Sequence, residues 1–154
     1  MHEFDRIVGQ MKQAHIGNPW TDAPLVALLD DLACEQAAAK PIPNANSIWE
    51  VVLHLITTQE LIVDLVRSVS RPFQPGDAWP PIGEATVEAW AGVVERFLAG
   101  DAEVRSVLSD EFTDERLDEP FREGGTSAYN NLHGYLQHAV YHGGQISMLK
   151  KLAA

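Results

Sequence analysis

Cysteine is nearly absent. Cys34 is the only one in 154 residues, so no disulfide can close within the chain, and the composition suits a reducing compartment such as the cytoplasm. Positive charge is scarce as well: 11 Lys and Arg stand against 22 Asp and Glu, for a formal net charge of -11. Such a field repels phosphate backbones and anionic lipid headgroups, which argues against nucleic acid and membrane surfaces as partners. Long apolar runs are missing too. The richest stretch, Val51 to Val69, is interrupted by Thr57, Gln59, Glu60, Asp64 and Arg67 and does not read as a membrane span. The opening Met1-His2-Glu3-Phe4-Asp5 has neither the basic start nor the apolar run of a secretory signal.

What is present is helical periodicity. Hydrophobic residues make up 45% of the chain, enough for a globular core, and the length predicts one domain over residues 1–154. Phe4, Ile7, Val8 and Met11 follow the i, i+3, i+4, i+7 rule and predict a short amphipathic helix closed by Gly17-Asn18-Pro19. Leu25, Leu28, Leu29 and Leu32 repeat the spacing, with Thr21 or Asp22 as cap and Pro24 in the first turn. The two segments read as one kinked first bundle helix or as an extra helix followed by the first. Cys34 falls in this stretch and is read as a small core filler.

Pro41-Ile42-Pro43-Asn44 breaks the pattern, and Ser47-Ile48-Trp49-Glu50 opens the next helix with a capping box. That helix should run to about Ser70 and be the most buried, since its apolar residues fill more than one stripe. Residues 71–83 hold four prolines with Phe73 and Trp79 and predict an irregular connection pinned by aromatics. A third helix carries Val87, Trp90, Val94, Phe97 and Leu98 on one face, with a kink or fraying expected at Gly100-Asp101. Ser109 to Gly125 is a turn-rich connection with room for a short extended piece. The last helix spans about Ser127 to Lys151, with Lys150 and Lys151 at its negative end. The whole predicts an all-α, four-helix bundle with an extra short or kinked N-terminal helix.

Histidines carry the chemistry. His138 and His142 are i and i+4 on the last helix, so their imidazoles share one face within reach of a common ion. Ala139, Ile146 and Leu149 mark that face as buried. Two uncharged imidazoles there need partners, and two readings stay open: a shared metal, or hydrogen bonds to neighbouring core groups. His54 sits between Leu53 and Leu55, a place for a buried side chain. If its helix neighbours the last one, three imidazoles leave one coordination position open, as catalytic metals require. His133 lies about 140° around the helix from His138 and should not join them; with His2 and His15 it is read as structural. No paired Glu-x-x-His units and no His-Glu-x-x-His motif occur, which points away from a di-iron site and a zinc protease and toward one ion. Gly143-Gly144 interrupts this helix at a cost of about 1 kcal/mol per glycine, to admit a neighbouring helix or to leave room beside the metal. Gln145 is the candidate hydrogen-bond partner that orients a ligand.

These pieces carry a family resemblance. The order of Ser47-Ile48-Trp49-Glu50 leading to His54, then Asp77-Ala78-Trp79-Pro80, then His138-Ala139-Val140-Tyr141-His142-Gly143-Gly144-Gln145-Ile146 resembles the DinB/YfiT-like metalloenzyme superfamily. Trp20, Pro24-Leu25 and Pro41-Ile42-Pro43 resemble it as well. The family loop reads Asp-Trp-Pro in many members, whereas Ala78 intervenes here. The resemblance implies a four-helix bundle, a divalent metal such as zinc or nickel on His54, His138 and His142, and a homodimer. It also implies an S-transferase that joins a low-molecular-weight thiol to a small electrophile in detoxification or stress. A metal-dependent hydrolase of small esters or amides, and a non-catalytic metal-stabilised dimerisation or binding module, are the alternatives.

Overall fold

The computed structural model describes residues 2–72, 74 and 76–153. Among them, four long helices form the bundle: α1 (Glu3–Ile16), α4 (Ile48–Val66), α5 (Val87–Glu111) and α6 (Ala128–Leu152). Two five-residue helices, α2 (Leu25–Leu29) and α3 (Cys34–Ala38), bridge α1 and α4. Of the two arrangements open for the N-terminal segments, α1 is thus itself the first long helix. The leucine-rich segment is not a continuous helix, because Asp30 is extended and Asp31 takes φ 57. Asp22 does not cap it either. It adopts φ 83, and Pro24 occupies the cap position without a side-chain bond.

The capping box at the start of α4 forms as the sequence requires. The Glu50 amide donates to Ser47 Oγ (3.2 Å), and the Ser47 amide donates back to Glu50 Oε2 (2.7 Å). Most of α4 is buried. It ends at Val66, four residues before the expected stop, because Ser68 turns into the left-handed region (φ 56) and the Val69 amide donates to the Asp64 carbonyl (2.8 Å).

α4 and α5 run in the same direction. Trp49 packs on Trp90, the Gln59 side-chain amide donates to the Phe97 carbonyl, and Arg67 pairs with Glu103 and Glu111, so contacts advance together along both helices. A connection between parallel helices must return along the bundle, and α4 alone is about 28 Å long. Pro72, Pro80 and Pro81 therefore belong to a crossing connection, not a tight turn. Phe73, expected to help pin it, lies outside the described residues; Trp79 is described and packs against the bundle. α6 runs against α4, with His54 opposite His138 and His142.

α5 continues unbroken through Gly100-Asp101, contrary to the expected kink. A Cβ on Gly100 would collide with the Gln59 side chain, so glycine permits the close approach of α4. Asp101 is 2% exposed and accepts a two-pronged contact from Arg105 one turn on (3.1 and 2.9 Å), which removes its reason to fray the helix. His15 is buried beside this pair. Its Nδ1 donates to the Met11 carbonyl at 2.9 Å and lies 3.5 Å from Asp101, as a structural histidine should. Pro120 and Ser127 form an isolated antiparallel bridge, the short extended piece anticipated before α6.

Lys150 and Lys151 stand in the last turn of α6, as expected, and Lys150 also serves a neighbouring helix. The Lys150 ammonium donates to the Leu28 and Asp30 carbonyls (3.0 and 2.7 Å), closing the C-terminal end of α2. α2 also explains Gly143, where an added Cβ would lie 3.3 Å from Leu25. Gly144 faces open space, and no packing contact accounts for it. Cys34 is buried in the core, as expected, and burial pushes its thiol pKa up. Among the described residues no helix is long and apolar enough to cross a membrane.

Candidate metal centre

α4 supplies His54 and α6 supplies His138 and His142. His142 is 4% exposed and the other two are half-buried. The three imidazoles meet edge to face, with ring centroids 4.4 to 4.8 Å apart. His138 Nε2 lies 2.8 Å from His54 Nε2 and 3.1 Å from His142 Nε2. One ligand nitrogen from each residue falls within 4.8 Å of the others. Two nitrogens that each sit about 2.0–2.1 Å from one zinc ion are at most about 4.2 Å apart, so these two separations are compatible with a shared ion.

Proton placement makes the case stronger. His54 Nδ1 donates to the Ala78 carbonyl at 2.6 Å, and His142 Nδ1 donates to Gln145 Oε1 at 2.6 Å. In a neutral ring a proton on Nδ1 leaves a lone pair on Nε2. Two lone pairs are therefore aimed at His138 Nε2. A single proton on that atom satisfies one of them and leaves the other facing the cluster. A divalent cation would accept both of these and a third from His138 Nε2 once its proton sits on Nδ1. His138 Nδ1 is buried and has no hydrogen-bond partner among the described residues, so nothing else selects its tautomer.

Gln145 is held in its turn, since its amide nitrogen donates to the Tyr141 hydroxyl at 3.1 Å. The ring that Gln145 contacts is His142, one of the three candidate ligands. The crossing connection makes two contributions that the sequence pattern did not announce. Ala78 orients His54 through its backbone, which leaves no side-chain signature. Trp79 lies flat on the His54 ring, 4.0 Å away and 6° from parallel, and shields one face of it. The Asp77-Ala78-Trp79-Pro80 segment of the family resemblance points to both, and the aromatic-pinned connection expected over residues 71–83 points to Trp79. His133 stays outside the cluster and packs on Tyr129, and His2 contacts Asp114 at 3.0 Å.

Electrostatics favour neutral rings. Burial first, then the neighbouring His142 and His54, push the pKa of His138 down to about 4. Burial also lowers that of His142, against an opposing contribution from its hydrogen bond to Gln145. Unfolding restores ordinary histidine values, near 6.5. Between that value and about 4 the unfolded chain binds more protons, so stability is complete above about pH 6.5 and declines as pH falls toward 4. Denaturant midpoints measured across that window should fall with acidity in the metal-free protein, and His138→Gln should flatten the decline. A midpoint independent of pH would contradict the neutral cluster.

Three inward imidazoles on two facing helices of a bundle form a cluster that could hold one metal ion. The model of the DinB superfamily matches residues 20–146, and the chain belongs to that superfamily. No curated protein and no solved structure matches it.

Proposed function

We propose that the chain is a metal-dependent S-transferase that joins a low-molecular-weight thiol to a small electrophile. The observation that carries the metal is the convergence of three Nε2 atoms with two of the Nδ1 positions committed elsewhere. The reaction class and a homodimeric assembly are what the family resemblance implies. His54, His138 and His142 would hold a divalent transition metal, for which neutral imidazoles suit zinc or nickel. Such an ion supplies Lewis acidity that favours the thiolate form of a thiol near neutral pH.

The chain's own residues supply orientation. The Ala78 carbonyl and Gln145 fix two imidazoles in one tautomer, and Trp79 keeps water from one face of His54. In the transfer, sulfur forms a bond to the electrophilic carbon, the leaving group departs with its electron pair, and the thiol proton passes to solvent. No side chain near the imidazoles is assigned as a general base.

The test is a panel of thiols with 1-chloro-2,4-dinitrobenzene, run with zinc-loaded and nickel-loaded protein. Thiol-dependent turnover that a chelator abolishes is the expected result. Hydrolysis of nitrophenyl esters without thiol would move the reading to a hydrolase, and metal binding without turnover on any panel member would move it to a binding module.

A further inference from the structure

Pro41-Ile42-Pro43-Asn44 does more than separate two helices. The Ala45 amide donates to the Ile42 carbonyl (3.2 Å), with Pro43 and the left-handed Asn44 (φ 63) between them. That is the residue pattern of a type II turn, in which proline presets one residue and asparagine tolerates the other. The turn is a stiff wall of a pocket of about 260 Å³, and α4 and α6 supply the rest.

The pocket lies one helical turn from the imidazoles. Val51 precedes His54 by three residues on α4, and Gln145 follows His142 by three on α6. Because the helices are antiparallel, both steps lead to the same side of the cluster, about 4.5 Å along each axis. Gln145 belongs to pocket and cluster alike, since its Oε1 accepts from His142 Nδ1.

Among the described residues no charged side chain lines this pocket, in a chain where one residue in five is charged. Lys40, just ahead of the turn, is committed to Glu50 at 2.8 Å. An anion would find no partner here and would meet the field of a chain with net charge -11. Ile42 and Met148 are instead 39% and 63% exposed, so the rim offers apolar surface, and the Asn44 and Asn46 amides can bond neutral polar groups. An apolar cavity of about 150 Å³ already holds benzene. A volume of about 260 Å³ therefore admits one substituted ring and is too small for a helix or strand.

We propose that this pocket holds the uncharged body of the electrophile, a single ring or a group of that size, with neutral polar substituents toward Asn44 and Asn46. This rests on the function proposed above and makes the preferred electrophiles neutral.

Calorimetric titration of the full chain with 2,4-dinitrotoluene tests the pocket, because that ring is neutral and carries no group that a thiol displaces. Saturable binding is expected, and 2,4-dinitrobenzoate, the same ring with a carboxylate, should bind about ten-fold or more weakly. Met148→Glu puts a carboxylate at the rim and should weaken dinitrotoluene by a similar factor, whereas Met148→Leu should keep it. Val87→Glu, at an exposed apolar residue outside the pocket, should bind as the wild type does. In turnover, Met148→Glu should raise KM for 1-chloro-2,4-dinitrobenzene and leave KM for the thiol unchanged. Absent binding, equal affinity for the benzoate, an unchanged affinity in Met148→Glu, an equal loss in Val87→Glu, or a rise in KM confined to the thiol would each overturn the proposal. A Met148→Glu protein of altered oligomeric mass in sedimentation would assign the surface to a second copy of the chain, which overturns it too. Binding of the ring is read without metal or thiol, so failure of the metal and thiol reading appears separately, as missing metal or missing thiol-dependent turnover.

Discussion

His138→Ala is expected to abolish metal binding while leaving the metal-free fold intact. Protein purified without an affinity tag should carry about one zinc or nickel ion per chain, and the variant should carry almost none. The choice of His138 follows from its surroundings. It is half-buried, its Nδ1 has no partner, and its Nε2 faces two lone pairs. Truncating it removes an awkward group from the metal-free protein and the central donor from the loaded one. His142→Ala is a poorer probe, since His142 is buried and its loss would orphan Gln145. With metal at 100 times its Kd, binding stabilises the folded state by about 2.7 kcal/mol. For a chain of this size that raises Tm by about 5–10 °C. Thermal scans should show this rise in the wild type and none in His138→Ala, with similar metal-free melting temperatures. A wild-type protein that holds no metal and gains no stability from zinc or nickel would remove the basis of the proposed function.

The second large effect concerns stability alone. Trp49 is 2% exposed, sits in the first turn of α4, and packs on Trp90 of α5 with ring centroids 5.2 Å apart. Trp90 is fixed in turn by its indole N–H, which donates to the Leu32 carbonyl at 3.0 Å. The pair therefore joins α4, α5 and the segment between α2 and α3. Trp49→Ala should cost about 3–5 kcal/mol, because the removed ring leaves a cavity that three separate elements cannot close together. That is a large share of the roughly 5–15 kcal/mol typical of a domain, and Tm should fall by on the order of 10 °C. Equilibrium denaturation measures it directly, and a loss below about 1 kcal/mol would show that the site collapses freely.

The parts of this fold legible in the sequence were those written in side chains at fixed spacing. The Ser47–Glu50 box, the Ser127 start of α6 and the His138/His142 pair are of this kind, and the structure has them where periodicity put them. Spacing alone left the histidine pair ambiguous, because it carries no information about what faces it. His54 became a partner through tertiary packing of α4 on α6. The departures have backbone causes. Ser68 and Asp31 enter the left-handed region without being glycine, so neither helix end was signalled. Gly100-Asp101 looked like a weak point because glycine and aspartate are poor helix formers. Arg105, visible one turn on, supplies the partner, yet the burial that makes the pair matter depends on the neighbouring helices.

The acceptor for His54 Nδ1 is a main-chain carbonyl, and that has a consequence for how the protein can vary. Any residue at position 78 offers the same oxygen, so its identity is nearly free of the metal centre's demands. The number of residues between the end of α4 and Trp79 is not free, because removing one would draw the carbonyl away from the ring or pull Trp79 off it. For this chain, the contacts to His54 rest on the length of the connection more than on the identity of residue 78.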